Sequence, residues 1–186
     1  MATEAAAGEF RGKAFTDLTP EMLEQLERTD DPMEKLKIVT ETLQIEHYAD
    51  NPRSSILADF CLGNIMFCDE NFASSPEKKS AFFSIMRLVF EHALDGPEPV
   101  SMADSLAYFK EQVLEHSMDA PPERVAIFSL PEVRLITDFI GKSFYRHFKA
   151  YQFCFSERQA TEHRQRLVVV ETPMNPPPLS AATRQS

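Results

Sequence analysis

The stretch SLPEVRLITDFIGKSFYRHFKAYQFCF, residues 129–155, decides the fold class. Val133, Ile136, Phe139, Ile140, Ser143, Phe144, His147, Phe148 and Tyr151 recur at intervals of three and four, the spacing of one helix face. Ser129 followed three residues later by Glu132 has the form of a capping box. The run predicts a helix from Ser129 to Phe153 or Phe155, with its apolar face in a core. On such a helix Phe144, His147, Phe148 and Tyr151 share the inner side, where His147 reads as a hydrogen-bonded core histidine. Lys142, Tyr145, Arg146 and Lys149 spread over the remainder. They are the candidate partner-binding residues, because Tyr and Arg dominate interface hot spots.

The segments before it repeat one device, a capping side chain next to a proline whose missing N–H costs nothing in the first helical turn. Thr19-Pro20 opens a short helix to Arg28 that buries Met22, Leu23 and Leu26. Asp31-Pro32 opens a second, with Met33, Leu36, Val39 and Leu43 at helical spacing. Asn51-Pro52 breaks the chain, and a third helix starts at Ser54 or Ser55 and carries Ile56, Leu57, Phe60, Cys61, Asn64, Phe67 and Cys68. Ser75-Pro76 caps a fourth, with Phe82, Phe83, Met86, Val89, Phe90 and Ala93 on its inner side. Ser101 with Asp104 opens a fifth through Leu106, Phe109, Val113 and Leu114.

Pro121-Pro122 forces an extended turn, and Ala126-Ile127-Phe128 is too short for a strand. Ser156 to Arg166 is polar enough to restart as a solvated helix. Leu167 to Val170 is apolar and isolated, so it either packs on the helices or docks on another subunit. The expectation is an all-α domain, a compact bundle of five or six helices over residues 16–156. A disordered N-terminal segment, 1–15, precedes it. A basic segment, a short apolar run and an extended Pro-rich tail follow over 157–186.

Fifteen Phe and no Trp suit a dry core or an apolar docking face, since Phe has no polar group to satisfy. The net charge of −10 argues against nucleic-acid binding, which needs Lys and Arg for phosphate contacts. The charge is uneven: residues 142–166 hold six Lys or Arg against two Glu, a local +4 that leaves −14 elsewhere. A basic C-terminal surface of this kind could meet an acidic partner, calmodulin or the acidic face of tubulin, or be a solvated helix face. Three cysteines with no CxxC spacing, no signal peptide and no long apolar run point to free thiols in a reducing cytosolic compartment, with no membrane contact.

No catalytic constellation is present. With five glycines there is no GxGxxG, GxxxxGK[ST] or GxSxG, and no HExxH. His47, His92, His116, His147 and His163 are scattered, and His92 and His116 sit near helix C-termini, where a cation suits the dipole. The loop Asp69 to Ser75 lacks the acidic spacing, the Gly and the closing Glu of a calcium loop. Cys61 and Cys68, two helical turns apart, read as packed core thiols. The expectation is a non-enzyme with no cofactor and no metal. One alternative is regulatory: Phe139 and Phe148 on a helix with Lys142, Arg146 and Lys149 have the anchor spacing of a calmodulin target, though core packing gives the same pattern.

Two stretches carry a resemblance: ILADF at 56–60 with Phe67-Cys68 and FASSPEKKSAF at 72–82, and FIGKSFYRHFKAY at 139–151. Together they resemble the CLAMP family, subunits of the a-projection on the first central-pair microtubule of motile cilia, over roughly Thr16 to Ser156. Ser74-Ser75-Pro76 lengthens the turn relative to that pattern. The resemblance implies a scaffold role in the ciliary axoneme. The implied partners are other central-pair projection subunits, a large axonemal scaffold protein and calmodulin.

Overall fold

A computed structural model describes residues 13–95, 99–119, 126–155 and 165–168, together with 175, 178 and 180. The described residues form seven α-helices and one 3-10 turn, with no strand among them. In chain order they are α1 (Pro20–Glu27), α2 (Pro32–Thr42), α3 (Pro52–Asn71), α4 (Pro76–Leu94), α5 (Met102–Glu115), α6 (Leu130–Lys142), the 3-10 turn Tyr145–His147, and α7 (Phe148–Phe155). All six helices read from the sequence are present, and the last is interrupted.

The caps explain the starts. Thr19, Asp31, Asn51 and Ser75 each accept a backbone N–H from the first turn, at 3.4, 3.2, 3.0 and 3.3 Å, and each precedes a proline. Asn51-Pro52 therefore starts α3 rather than breaking the chain ahead of it. Pro52 sits where its N–H would have no partner in any case. At α6, Glu132 accepts from both the backbone N–H (2.8 Å) and the hydroxyl (2.7 Å) of Ser129, and Lys78 of α4 reaches the same carboxylate at 2.6 Å. One side chain thus caps α6 and fixes it to the start of α4.

The helix α4 is the axis of the bundle, in contact with α1, α3, α5 and α7. Its residues from Lys79 to Met86 are all buried, not only the inner face expected from the apolar positions. The polar members of that stretch are each engaged. Ser80 and Ser84 accept the backbone N–H groups of Phe15 (2.7 Å) and Asp17 (3.4 Å), and Ser80 donates to the Leu18 carbonyl at 2.9 Å. The segment before α1 is thereby laid along α4, and Ala14 and Phe15 pack against the core. The docked part of the chain begins at least at Lys13, three residues before the domain start read from the sequence; residues 1–12 lie outside the described ones.

Lys79 completes the set. Its ammonium meets Asp69 of α3 and Glu27 of α1, both at 2.9 Å, while Lys35 of α2 meets the other Asp69 oxygen at 2.5 Å. Four helices converge on these four charges. The Lys79 and Lys35 side chains are only 5% and 9% exposed, so each ammonium depends on its carboxylates. Asp69 belongs to α3, and two lysines occupy the carboxylate that a calcium-loop reading would have used.

Phenylalanine fills the remainder. Phe67 stacks on Phe139 at 4.1 Å, and Phe60 lies 4.6 Å from Phe90, joining α3 to α6 and to α4. Phe82, Phe83 and Phe144 are wholly buried. Cys61 and Cys68 are buried free thiols among them, and burial pushes the Cys61 thiol up to about 12. Ala126–Phe128 forms a bend, not a strand: the N–H groups of Ile127 and Phe128 close on the His116 carbonyl at 2.8 and 3.1 Å.

A side-chain bond accompanies the break after α6. The Ser143 hydroxyl donates to the Phe139 carbonyl at 2.8 Å, competing with the backbone N–H that also reaches it at 2.9 Å. Such back-bonding bends helices. The chain then tightens into the 3-10 turn, whose larger rotation per residue changes which side chains face inward.

Candidate partner-binding surface

That rotation corrects the face assignment made on a continuous helix. Tyr145 is buried at 8% exposure, stacks on Phe148 with ring centres 5.8 Å apart, and shares a 3.2 Å hydrogen bond with the Ser105 hydroxyl. It is a core residue and is not available to a partner in this fold. His147, expected inside, is exposed. Phe144 and Phe148 are buried as expected, at 0% and 1%.

Arg146 and Lys149 are exposed and form no ion pair or hydrogen bond among the described residues. Lys142 is exposed too, but its ammonium meets Asp138 one turn back at 2.5 Å, with the two side chains 74% and 62% exposed. A pair so open to solvent contributes little to stability. Of the four candidates, then, three lie on the outer surface of the α6–α7 arm, two of them without a partner among the described residues, and one lies in the core. Phe153, 63% exposed, adds an apolar contact point on α7.

The arm is firmly held. Gln152 donates to the carbonyls of Ala93 (3.2 Å) and Val100 (2.7 Å), fixing α7 to the end of α4 and the loop after it. Arg53 at the start of α3 donates through Nε to the Cys154 carbonyl at 2.9 Å. Between α3 and the arm runs a groove of about 430 Å³ with Phe60, Phe139, Tyr151 and Ala150 on its walls and Gly63 and Asn64 on α3. Asn64 is 2% exposed and its Nδ2 has no hydrogen-bond partner among the described residues. A Cβ added at Gly63 would meet nothing within 4 Å.

The groove was not read from the sequence, although one signal was present. Gly63 stands in the middle of a periodic helix, where glycine costs about 1 kcal/mol against alanine, and among the described residues nothing in the packing requires it. Gly63→Ala is accordingly expected to stabilise the isolated protein by about 0.5–1 kcal/mol, read as a raised urea midpoint.

The other notable groups are structural. His116 is 2% exposed; its Nε2 accepts the Lys13 N–H at 2.9 Å while Nδ1 faces the Gln112 carbonyl at 2.6 Å. Those partners require the neutral Nδ1–H tautomer, so His116 ties the N-terminal segment to α5 rather than acting as a cation at a helix end. His92 stacks on Tyr108 at 4.1 Å beside a second groove, of about 580 Å³. There Arg87 is taken by Glu91 (2.6 Å) and Asp17 (3.7 Å). Among the described residues no three His, Cys, Asp or Glu converge as metal ligands, and no helix is long and apolar enough to cross a membrane.

Both anchors of the calmodulin-target pattern are occupied. Phe148 is buried, Phe139 is stacked on Phe67, and the helix between them is broken. Leu167 and Val168 are 92% and 68% exposed, so this part of the apolar run does not pack on the helices. Residues 156–164, read as a possible polar helix, and most of the Pro-rich tail lie outside the described residues.

The arm, the groove wall from Gly63 onward and the long turn into α4 all fall within one recognised unit. The family model for CLAMP, the flagellar C1a complex subunit C1a-32, matches residues 63–163, just over half of the chain. It takes in the 72–82 and 139–151 stretches, while Ile56 to Phe60 lie ahead of it. This chain belongs to the CLAMP family of flagellar C1a complex subunits.

Proposed function

We propose that this chain is a non-catalytic structural subunit of the ciliary axoneme, placed in a central-pair projection and acting in assembly and beat regulation through protein–protein contacts. Family membership supports a flagellar complex and sister subunits as partners. The observation that carries the finer reading is the pair of cations Arg146 and Lys149, without a partner among the described residues, on an arm held at its start by Lys78–Glu132 and at α7 by Gln152 and the Cys154 carbonyl. Rigid, solvated positive charge in a chain of net charge −10 is suited to an acidic neighbour. Other projection subunits and a large axonemal scaffold protein are the proposed partners, and Lys142 borders the same surface.

Calmodulin recruitment through the α6–α7 helix is not favoured, because Phe148 is in the core, Phe139 is stacked on Phe67 and the helix between them is broken. A calmodulin contact would have to use the segment after α7.

Arg146→Glu tests the assignment. The variant should keep the helical circular dichroism and unfold within about 0.5 kcal/mol of wild type, as exposed substitutions do. Its incorporation into axonemes should fall by about tenfold or more, equivalent to at least 1.4 kcal/mol. Unfolding of the variant would mean that Arg146 belongs to the core, and normal incorporation would remove this face from the interface.

A further inference from the structure

We propose that the segment 13–18 is a pH-sensitive strap, docked along α4 and onto the end of α5 while His116 is neutral and released when that ring takes up a proton. Its release uncovers the core surface that Ala14 and Phe15 cover.

Three side chains accept the N–H groups of the strap. Ser80 and Ser84 of α4 take those of Phe15 (2.7 Å) and Asp17 (3.4 Å), and His116 takes that of Lys13 through Nε2 at 2.9 Å. Phe15, at the centre, has a φ of 60°. An aromatic side chain rarely adopts that left-handed conformation, so the docked path is strained and persists only while its anchors outweigh the strain.

His116 serves as an anchor in one protonation state. Its ring is 2% exposed, and Nδ1 donates to the Gln112 carbonyl at 2.6 Å, which leaves Nε2 as the acceptor. A proton on Nε2 sets one donor against another and places a cation where water does not reach. One turn back on the same face of α5, Gln112 Oε1 is buried with no hydrogen-bond partner among the described residues. It offers the charged ring an acceptor in place of the lost contact, whereas the Lys13 N–H has to turn to water.

The surrounding charges leave the ring as the responsive group. On the strap, Lys13 carries an ammonium and Asp17 pairs with Arg87 of α4 at 3.7 Å. On α4, Lys78 is held by Glu132, and Lys79 by Asp69 and Glu27. His92, near the far end of α4, stacks on Tyr108. On α5 stand Glu111 and the half-buried Glu115, and Asp119 beyond them accepts the Ala126 N–H at 2.6 Å. The bend 126–128 has no titratable side chain. Carboxylates and amines ordinarily titrate well outside the range of about pH 5–8 in which imidazole changes charge.

The test uses the isotope-labelled full chain and reads amide exchange by NMR at about pH 7.5 and about pH 5.5, on either side of the ordinary imidazole value of about 6.5. Each rate is divided by that of an unstructured peptide at the same pH. Asp69, held low by its lysines, stays ionised throughout. Protection of the Lys13 and Phe15 amides should fall by about tenfold or more on acidification, while that of Ile65 in the core of α3 is unchanged. The His116 ring nitrogens should pass from the Nδ1–H form to the doubly protonated form with the same midpoint. His116→Gln, whose amide does not titrate, should flatten the response to within about twofold. If that variant does not fold, the ring and amide midpoints of wild type decide the matter. No fall in wild type, an equal fall at Ile65, a midpoint that follows His92 instead, or an undiminished response in His116→Gln overturns the strap.

Discussion

Phe148→Ala is expected to lower stability by about 3–5 kcal/mol, a large part of the 5–15 kcal/mol that holds a typical domain together. Phe148 is 1% exposed, meets Phe144 edge-on with centres 5.7 Å apart, and stacks on Tyr145. The cavity left by the ring cannot close easily. The α7 backbone is pinned through Gln152 to Ala93 and Val100, and through its Cys154 carbonyl to Arg53. Urea unfolding followed by circular dichroism reads the loss. The comparison is Phe153→Ala on the same helix, 63% exposed, where the change should stay within about 0.5 kcal/mol. Equal effects at the two positions would show that α7 does not dock as described.

Asp69→Ala should cost a similar amount, about 3–5 kcal/mol, for a different reason. Among the described residues, it strips Lys35 of its one carboxylate and leaves Lys79 with Glu27 alone, whose side chain is 43% exposed. An ammonium with little access to water and no counter-charge is the main penalty. Adding Lys35→Met to Asp69→Ala should therefore recover part of the loss, because the stranded charge is then removed along with its partner. No recovery would mean that the lost carboxylate matters through packing rather than charge.

The same cluster sets a pH signature. Burial alone would raise the Asp69 pKa, but hydrogen bonds from Lys35 and Lys79 outweigh it and hold the carboxyl below its ordinary value. A depressed folded-state pKa gives stability that is present above the unfolded value, about 4, and is lost as pH falls through the folded one. Burial alone would lower Lys79, yet its bonds to Asp69 and Glu27 raise it, so its share is present below the ordinary lysine range and is lost as pH climbs beyond it. Wild type should thus lose more stability than Asp69→Ala on acidification below about pH 4. Glu132, also held low by Lys78 and Ser129 against its burial, contributes to both proteins and drops out of the difference.

The fold was legible because its starts are written locally. Asp31, Ser75 and Ser101 announce helices without any knowledge of the tertiary structure, and each cap forms as read. Periodicity alone also identified Phe82, Phe90, Phe109 and Ile136 as buried. What could not be read was anything depending on two elements at once. Ser143 looks like a small inward residue in a continuous helix, and the break that follows it, with the exchange of Tyr145 and His147, is not written in the spacing. Lys79 looks like a solvated residue near a helix start, and its place beside Asp69, Lys35 and Glu27 emerges only once four helices have met. The groove is the same kind of case, since Gly63 and Asn64 belong to one wall and the other wall lies nearly eighty residues further along.

The most direct test of the axonemal assignment is recovery of the tagged full chain from detergent-extracted motile cilia, with associated proteins identified by mass spectrometry with and without calcium. Central-pair projection subunits, and a large scaffold protein with them, should be recovered in both conditions. Recovery of calmodulin alone and only with calcium would instead favour a regulatory role, and recovery of no projection subunit in either condition would contradict the account.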